Sequence, residues 1–205
     1  MRTKTNNKNV SIMRKVIYFL MLLFATLSAS AQKIVDDRVT DSGLRLISCE
    51  SKPFRSMSDK VVLSLGLSAS VKDGSVQYFL DATLASSEPI SAPAGARMLV
   101  KTSSGDVLTL TEYSNKTLSD NIGDVKSISG IVVKTFTINA AYALTDEQMQ
   151  QLLSGIAKIR IELNGDTNYE KEWKKDKISG FLAKEYKTLT EAVATDKKGS
   201  FTDDF

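Results

Sequence analysis

Residues 61–84 read VVLSLGLSASVKDGSVQYFLDATL, and the alternation within them decides the architecture. The odd positions Val61, Leu63, Leu65, Leu67, Ala69 and Val71 are apolar, and the even positions after Val62 are Ser or Gly until Lys72. A period of two marks a strand with one buried face. Beyond Lys72-Asp73-Gly74-Ser75 the apolar parity switches to Val76, Tyr78, Leu80, Ala82 and Leu84. A two-residue Asp-Gly turn joining Lys72 to Ser75 accounts for the switch. It sets Val71 against Val76, Ala69 against Tyr78, Leu67 against Leu80, Leu65 against Ala82 and Leu63 against Leu84. Each apolar pair contributes roughly 0.2–1 kcal/mol, and a slip of one residue would turn the whole face to water.

The same parity test extends outward. Met98 and Val100 share a parity with Leu108 and Leu110, so their hairpin needs an odd loop. Ser103-Ser104-Gly105, with Gly at the left-handed position, pairs Val100 with Leu108 and Met98 with Leu110. Residues 131–138 (IVVKTFTI) form another β-branched strand, and residues 43–49 (GLRLISC) form one that carries the only cysteine. Residues 112–129 (EYSNKTLSDNIGDVKSIS) are a long polar connection, expected to hold a short strand or turn. Thr145-Asp146-Glu147-Gln148 has capping-box spacing, with Leu144 placed to staple Met149. Met149, Leu152, Leu153 and Ile156 form the helix's apolar stripe, and Gly155 ends it. A second helix runs from about Ser179 to Ala194, with Ile178, Phe181, Leu182, Tyr186, Leu189 and Val193 on one face.

Between the helices, residues 156–175 read IAKIRIELNGDTNYEKEWKK. Ile159, Ile161, Thr167, Tyr169 and Trp173 are odd, whereas Lys158, Arg160, Glu162, Glu170 and Glu172 are even. A two-residue Asn-Gly turn would mix the faces, and a three-residue loop keeps them sorted. One such loop opposes Lys158 to Glu170; sliding it by one residue opposes Arg160 to Glu170 and Lys158 to Glu172. Either way the charges form a solvated face and Trp173 belongs to the core. Arg160, Tyr169 and Trp173 are retained as the candidate partner-binding surface, because Arg, Tyr and Trp are the usual interface anchors.

The N-terminus reads as a secretory signal peptide. Residues 1–15 carry five basic and no acidic side chains, residues 16–27 are apolar, and Ala29 and Ala31 occupy the small-residue positions of a cleavage site before Gln32. Twelve apolar residues fall short of the ~20 a spanning helix needs. Met13 is a second candidate start. Leu46-Ile47-Ser48-Cys49 has lipobox composition but lies too far beyond the apolar run to be acylated. The predicted organisation is a signal peptide over 1–31, a flexible leader over 32–42, one globular domain over 43–195 and a loose polar tail over 196–205. A single cysteine allows no intrachain disulfide. Stability must therefore come from the core, and a domain of this size buries about 70% of its unfolded surface.

Export changes the charge balance. The chain has 27 basic and 24 acidic residues, and loss of the five N-terminal ones leaves 22 against 24. Such a surface offers no basic field for nucleic acid. There is no histidine, which removes His-based triads and His-ligated zinc. No nucleotide-binding or serine-nucleophile motif occurs. Glu170 and Glu172 share a face at a spacing compatible with the ~5–9 Å of glycosidase carboxylates, but facing Lys and Arg work against the raised pKa a general acid needs. Asp120, Asn121 and Asp124 are oxygen donors that miss calcium-loop spacing. Cys49 reads as a buried structural thiol. No catalytic, cofactor or metal residue is therefore assigned.

The C-terminal third resembles a pattern in uncharacterised exported proteins of Bacteroidota. The matching residues are Tyr142-Ala143-Leu144-Thr145-Asp146-Glu147-Gln148, Leu153, and Gly155-Ile156-Ala157-Lys158-Ile159-Arg160-Ile161, followed by a hairpin and a closing helix. The Ser30-Ala31-Gln32 junction is also common there. The resemblance implies export and no particular activity. The expectation is an α+β fold of about eight antiparallel strands, a sandwich or curled sheet, with a short capped helix and a C-terminal helix packed on it. The expected function is a non-catalytic binding or accessory module of the periplasm or exterior, soluble after cleavage. Its partner would be an unknown protein or small ligand of the cell envelope, and no cofactor is expected. Alternatives are a carboxylate-based hydrolase of glycans or peptides and a small-ligand carrier with a cavity in the sheet.

Overall fold

The computed structural model describes residues 32–56, 59–119, 121–128, 131–165 and 168–195. In them the chain forms β1 (Ile34–Val39), β2 (Arg45–Cys49), β3 (Lys52–Phe54), β4 (Val61–Lys72), β5 (Ser75–Ser86), β6 (Arg97–Thr102), β7 (Val107–Thr111), β8 (Asn121–Ile128) and β9 (Ile131–Leu144). Helix α1 (Asp146–Leu153) follows, then β10 (Ile156–Ile161), β11 (Tyr169–Glu172) and helix α2 (Ser179–Ala194). All of these lie in the unit Gln32–Phe205. The residues read as a signal peptide, including Ala29 and Ala31, the tail 196–205 and Asp120 lie outside the described residues, as do the side chains of Asn121 and Asp124.

Strands β4 and β5 pair as the alternation requires, with Leu67 opposite Leu80 and all four other expected apolar pairs formed. Asp73 and Gly74 sit at φ of 50° and 79°, the left-handed conformation that the two central residues of a type I′ turn must adopt. The hairpin is the centre of an antiparallel sheet in the order β1-β2-β4-β5-β9-β8, with β3 also paired to β4. A second antiparallel sheet has the order β11-β10-β6-β7. Its β6–β7 hairpin sets Val100 against Leu108 and Met98 against Leu110. Gly105 closes that loop at φ 100° and donates to the Thr102 carbonyl at 3.1 Å.

One face of the larger sheet is the core. Phe54, Ile47 and Ile138 continue the face set by Leu63, Ala69 and Leu84, because they stand directly opposite them. The buried residues Met98, Val100, Ile159 and Ile161 of the second sheet belong to the same cluster. Helix α2 lies on that face too, with Phe181 edge-on to Phe54 at 5.6 Å and Tyr186 edge-on to Tyr78 at 5.2 Å. Such ring pairs add about 0.5–1.5 kcal/mol each to area burial.

The strands beyond the expected eight are β1, β3 and β8. The segment 32–42, expected as a flexible leader, contains β1, antiparallel to β2. A buried arginine orders it. Arg45 is 8% exposed and donates from Nε and Nη2 to the two Asp37 oxygens at 2.9 and 3.1 Å. The same guanidinium donates to the Thr195 and Ala192 carbonyls at 2.7 and 3.1 Å, at the end of α2. Residues 112–129 likewise hold the eight-residue β8. They are also tied down by bridges pairing Glu112 with Tyr142 and Leu118 with Ala92.

Helix α1 carries the full capping box. The Gln148 N–H donates to Thr145 Oγ1 at 3.2 Å, and the Thr145 N–H donates to Gln148 Oε1 at 2.9 Å. Thr145→Ala is therefore expected to lower the unfolding free energy by about 1 kcal/mol. The check is a lower urea midpoint at an unchanged m-value. Ile156, expected on the α1 stripe, instead starts β10. Gly155 makes that switch at φ 135°, and a Cβ there would meet Ser103 Oγ at 2.5 Å. Asp176 caps α2 from outside: Oδ1 accepts from the Ile178 and Ser179 amides at 2.9 and 3.1 Å, and Oδ2 accepts from the Ile156 amide at 3.2 Å. Among the described residues no helix is long and apolar enough to cross a membrane.

Candidate binding groove

The β10–β11 hairpin takes the second of its two sorted registers, with Arg160 opposite Glu170, Lys158 opposite Glu172 and Ile161 opposite Tyr169. Lys158 and Arg160 both pair with Glu170. The pairing stops at Ile161 and Tyr169, because the end of β10 is engaged elsewhere. The Glu162 N–H donates to the Arg97 carbonyl, and the Asn164 N–H to the Ser91 carbonyl, each at 2.9 Å. Asn164 Nδ2 adds a bond to Ser91 Oγ at 2.9 Å.

This register separates the three nominated anchors. Arg160 points to solvent on the even face, with its side chain 47% exposed. Tyr169 is on the odd face and 7% exposed, and Trp173 is partly buried against the core. Arg160 therefore does not share a surface with Tyr169 and Trp173. Strand parity forbids it, since successive side chains point to opposite faces. The charged face is a paired, solvated one, and exposed pairs of this kind contribute about 0–1 kcal/mol.

Lys171 is the exception to the sorting, a cation on the inward parity. It pairs with Asp59, both side chains being largely buried, and donates to Ser56 Oγ at 3.1 Å. Its Nζ lies 5.9 Å from the Trp173 ring centroid, within cation–π range. The Ser56 N–H also donates to Asp59, at 2.5 Å. Burial pushes the Asp59 carboxyl up, but the Lys171 and Ser56 hydrogen bonds outweigh it and hold the group below its usual range. The segment before β4 is thus fastened to β11.

A groove of about 630 Å³ opens beside this ion pair. Its walls are residues 59–61, the β5–β6 connection over residues 86–91, and hairpin residues Leu163, Asn164 and 168–171. The volume falls within the ~300–1,000 Å³ typical of ligand sites. Serine hydroxyls, two asparagine amides, Lys60 and Glu88 face it, together with Pro89, Ile90 and Leu163. The Tyr169 hydroxyl is buried and makes no hydrogen bond within the described protein. Burial raises its pKa, with Asp59 adding to the effect, so it remains a neutral donor.

Glu170, at the rim of the groove, is held below its usual range by hydrogen bonds from Lys158 and then Arg160, which disfavours the protonated state of a general acid. Ser86 Oγ accepts from the Glu88 amide at 3.0 Å, and Ser91 Oγ accepts from Asn164, so each hydroxyl is engaged structurally. Among the described residues no group of three or more Cys, Asp or Glu is arranged to hold a metal ion. Cys49 is buried, and burial, then Glu185 and Asp81, push its thiol up to about 12, which makes it inert. Sequence reasoning missed Asp59, Lys171 and residues 86–91. The only local sign was Lys171 itself, a charge at an apolar parity.

Comparison with protein-family models, with curated proteins and with solved structures finds no match to this chain. The resemblance to exported Bacteroidota proteins therefore rests on the quoted residues alone.

Proposed function

We propose that the protein is an exported, non-catalytic binding module that seats a polar, peptide-like ligand in the groove beside Lys171 and Asp59. The observation that carries this reading is the groove itself, about 630 Å³ of mixed donors, acceptors and apolar side chains framed by a largely buried ion pair. A peptide suits it better than a sugar. The walls offer amides, hydroxyls and a charge of each sign, while the aromatic ring among them, Tyr169, is too buried to stack on a sugar face. Export is supported by the charged, apolar and small-residue order of residues 1–31. The carrier alternative needs room between the sheets, and the void bounded by Leu84, Ile138, Tyr142 and Ile161 is about 10 Å³, space for one water.

The test compares wild type with Ser87→Trp, whose parent side chain is exposed on the groove wall. Short peptides at about 100 Kd are expected to raise the wild-type Tm by roughly 5 °C or more, and Ser87→Trp should abolish the rise. Equal rises in both proteins would place the ligand elsewhere, and a flat response to peptides with a rise on soluble glycans would reverse the ligand class.

A further inference from the structure

Helix α2 buries a carboxylate on its apolar face. Glu185 lies on the same side as Phe181, Leu182 and Leu189 and is 0% exposed. It reaches the corner where β2 gives way to β3. The β2 ladder ends with Ser48 opposite Ser68 and the β3 ladder resumes with Lys52 opposite Leu65, skipping Gly66 and Leu67. The Leu67 N–H donates instead to the Glu185 carboxylate. The Cys49 thiol donates to the Glu185 main-chain carbonyl at 3.8 Å. Among the described residues, oxygen Oε2 is buried without a hydrogen-bond partner. Oxygen Oε1 accepts from Gln32 Nε2 at 3.5 Å.

Among the described residues, the charged side chains acting on this carboxyl are Asp81 of β5 and Glu50 of the corner, both acidic. Burial, with those two adding to it, pushes the group up to about 8. A buried carboxyl with acidic neighbours stays neutral on its own and ionises readily only beside a cation. The residue that touches it, Gln32, is also the one that follows the cleavage site read from Ala29 and Ala31.

We infer that Glu185 receives the amino terminus of the processed chain, the α-ammonium that hydrolysis of the Ala31–Gln32 bond creates on Gln32. The inference rests on the export reading. Water supplied to the signal-peptidase reaction leaves a carboxylate on Ala31 and an ammonium on Gln32, so a neutral amide nitrogen becomes a cation. That nitrogen is five bonds from Nε2, so at most roughly 6 Å from it and, across the 3.5 Å contact, at most roughly 10 Å from Oε1. Docking closes this to the ~4–6 Å at which an opposite charge favours the ionised carboxylate. The chain beyond it is already fixed: the Glu50 N–H donates to the Lys33 carbonyl at 3.0 Å, and Ile34 stands opposite Cys49. The final increment of stability is thereby conditional on signal removal.

The pH dependence follows by sign. Without the ammonium, Glu185 titrates above its unfolded value. Its contribution is then complete below the unfolded pKa and is lost as pH rises through about 8. With the ammonium in place the ionised form is balanced, and the balance fails only when the amine deprotonates, ordinarily near 7.7–8.0.

The experiment compares the exported natural protein with one carrying an extra glycine between Ala31 and Gln32, which moves the ammonium by about 3.6 Å. Terminal sequencing and intact mass define each start. At pH 7 the natural form should melt about 3–6 °C higher, the gap should close by pH 10, and Glu185→Gln should remove it at pH 7. Equal melting of correctly processed forms, or a gap that survives Glu185→Gln or pH 10, overturns the docking while leaving export intact. A start other than Gln32, or an amine lost by cyclisation onto its own carboxamide, removes the cation and overturns the inference at its premise.

Discussion

Arg45→Met is expected to cost about 3–5 kcal/mol, the usual penalty for breaking a buried, hydrogen-bonded ion pair from one side. Among the described residues the guanidinium donates to both Asp37 oxygens and to the carbonyls of Ala192 and Thr195. Methionine fills a similar volume but removes the Arg45–Asp37 ion pair and takes those donors from the end of α2. Two elements should therefore loosen together. Urea unfolding reads the loss, and hydrogen exchange should accelerate at β1 and in the last turn of α2. Pairing Arg45→Met with Asp37→Leu should recover part of the loss, because replacing both ions removes the uncompensated charge. A cost below about 1 kcal/mol, within the range of exposed pairs, would mean that the β1 ladder holds without the arginine.

Leu80→Ala should be comparably damaging, at about 3–4 kcal/mol. Leu80 is fully buried, opposite Leu67 on one side and Tyr142 on the other. It is therefore enclosed by strands on both sides, and the cavity left behind has little freedom to collapse. Ser70→Ala, on the opposite face of the same sheet, should change stability by less than about 0.5 kcal/mol. Similar effects at the two positions would mean that the period-two reading assigns the wrong face.

That reading was legible because every level agreed at residues 61–84. The apolar parity, the Asp-Gly turn and the pairing all specify one register. The β6–β7 loop and the α1 capping box were legible for the same reason, being set by residues adjacent in the chain. Strand β1 was not, since Asp36, Asp37 and Arg38 look solvated and are ordered by Arg45 and the distant end of α2. Glu185 was hidden differently. It sits on the same stripe as Phe181 and Leu189, and its burial depends on a ladder gap in β4 that no helical period encodes.

The candidate site was the least legible feature. Its walls come from residues 59–61, 86–91 and 163–171, which no local pattern joins. Of the three nominated residues only Tyr169 lines it. Alternation already placed Arg160 on the other face of its strand, so grouping it with Tyr169 and Trp173 by anchor chemistry overrode the stronger geometric rule.

Amide spectra of the isotope-labelled, processed protein, recorded while short peptides are titrated in, read the binding surface directly. Groove binding predicts shifts at residues 86–91, at Asn164 and at residues 169–171, with the outer sheet face unchanged. Shifts confined to Leu99, Lys101, Lys158 and Arg160 would contradict it and assign recognition to the charged face instead.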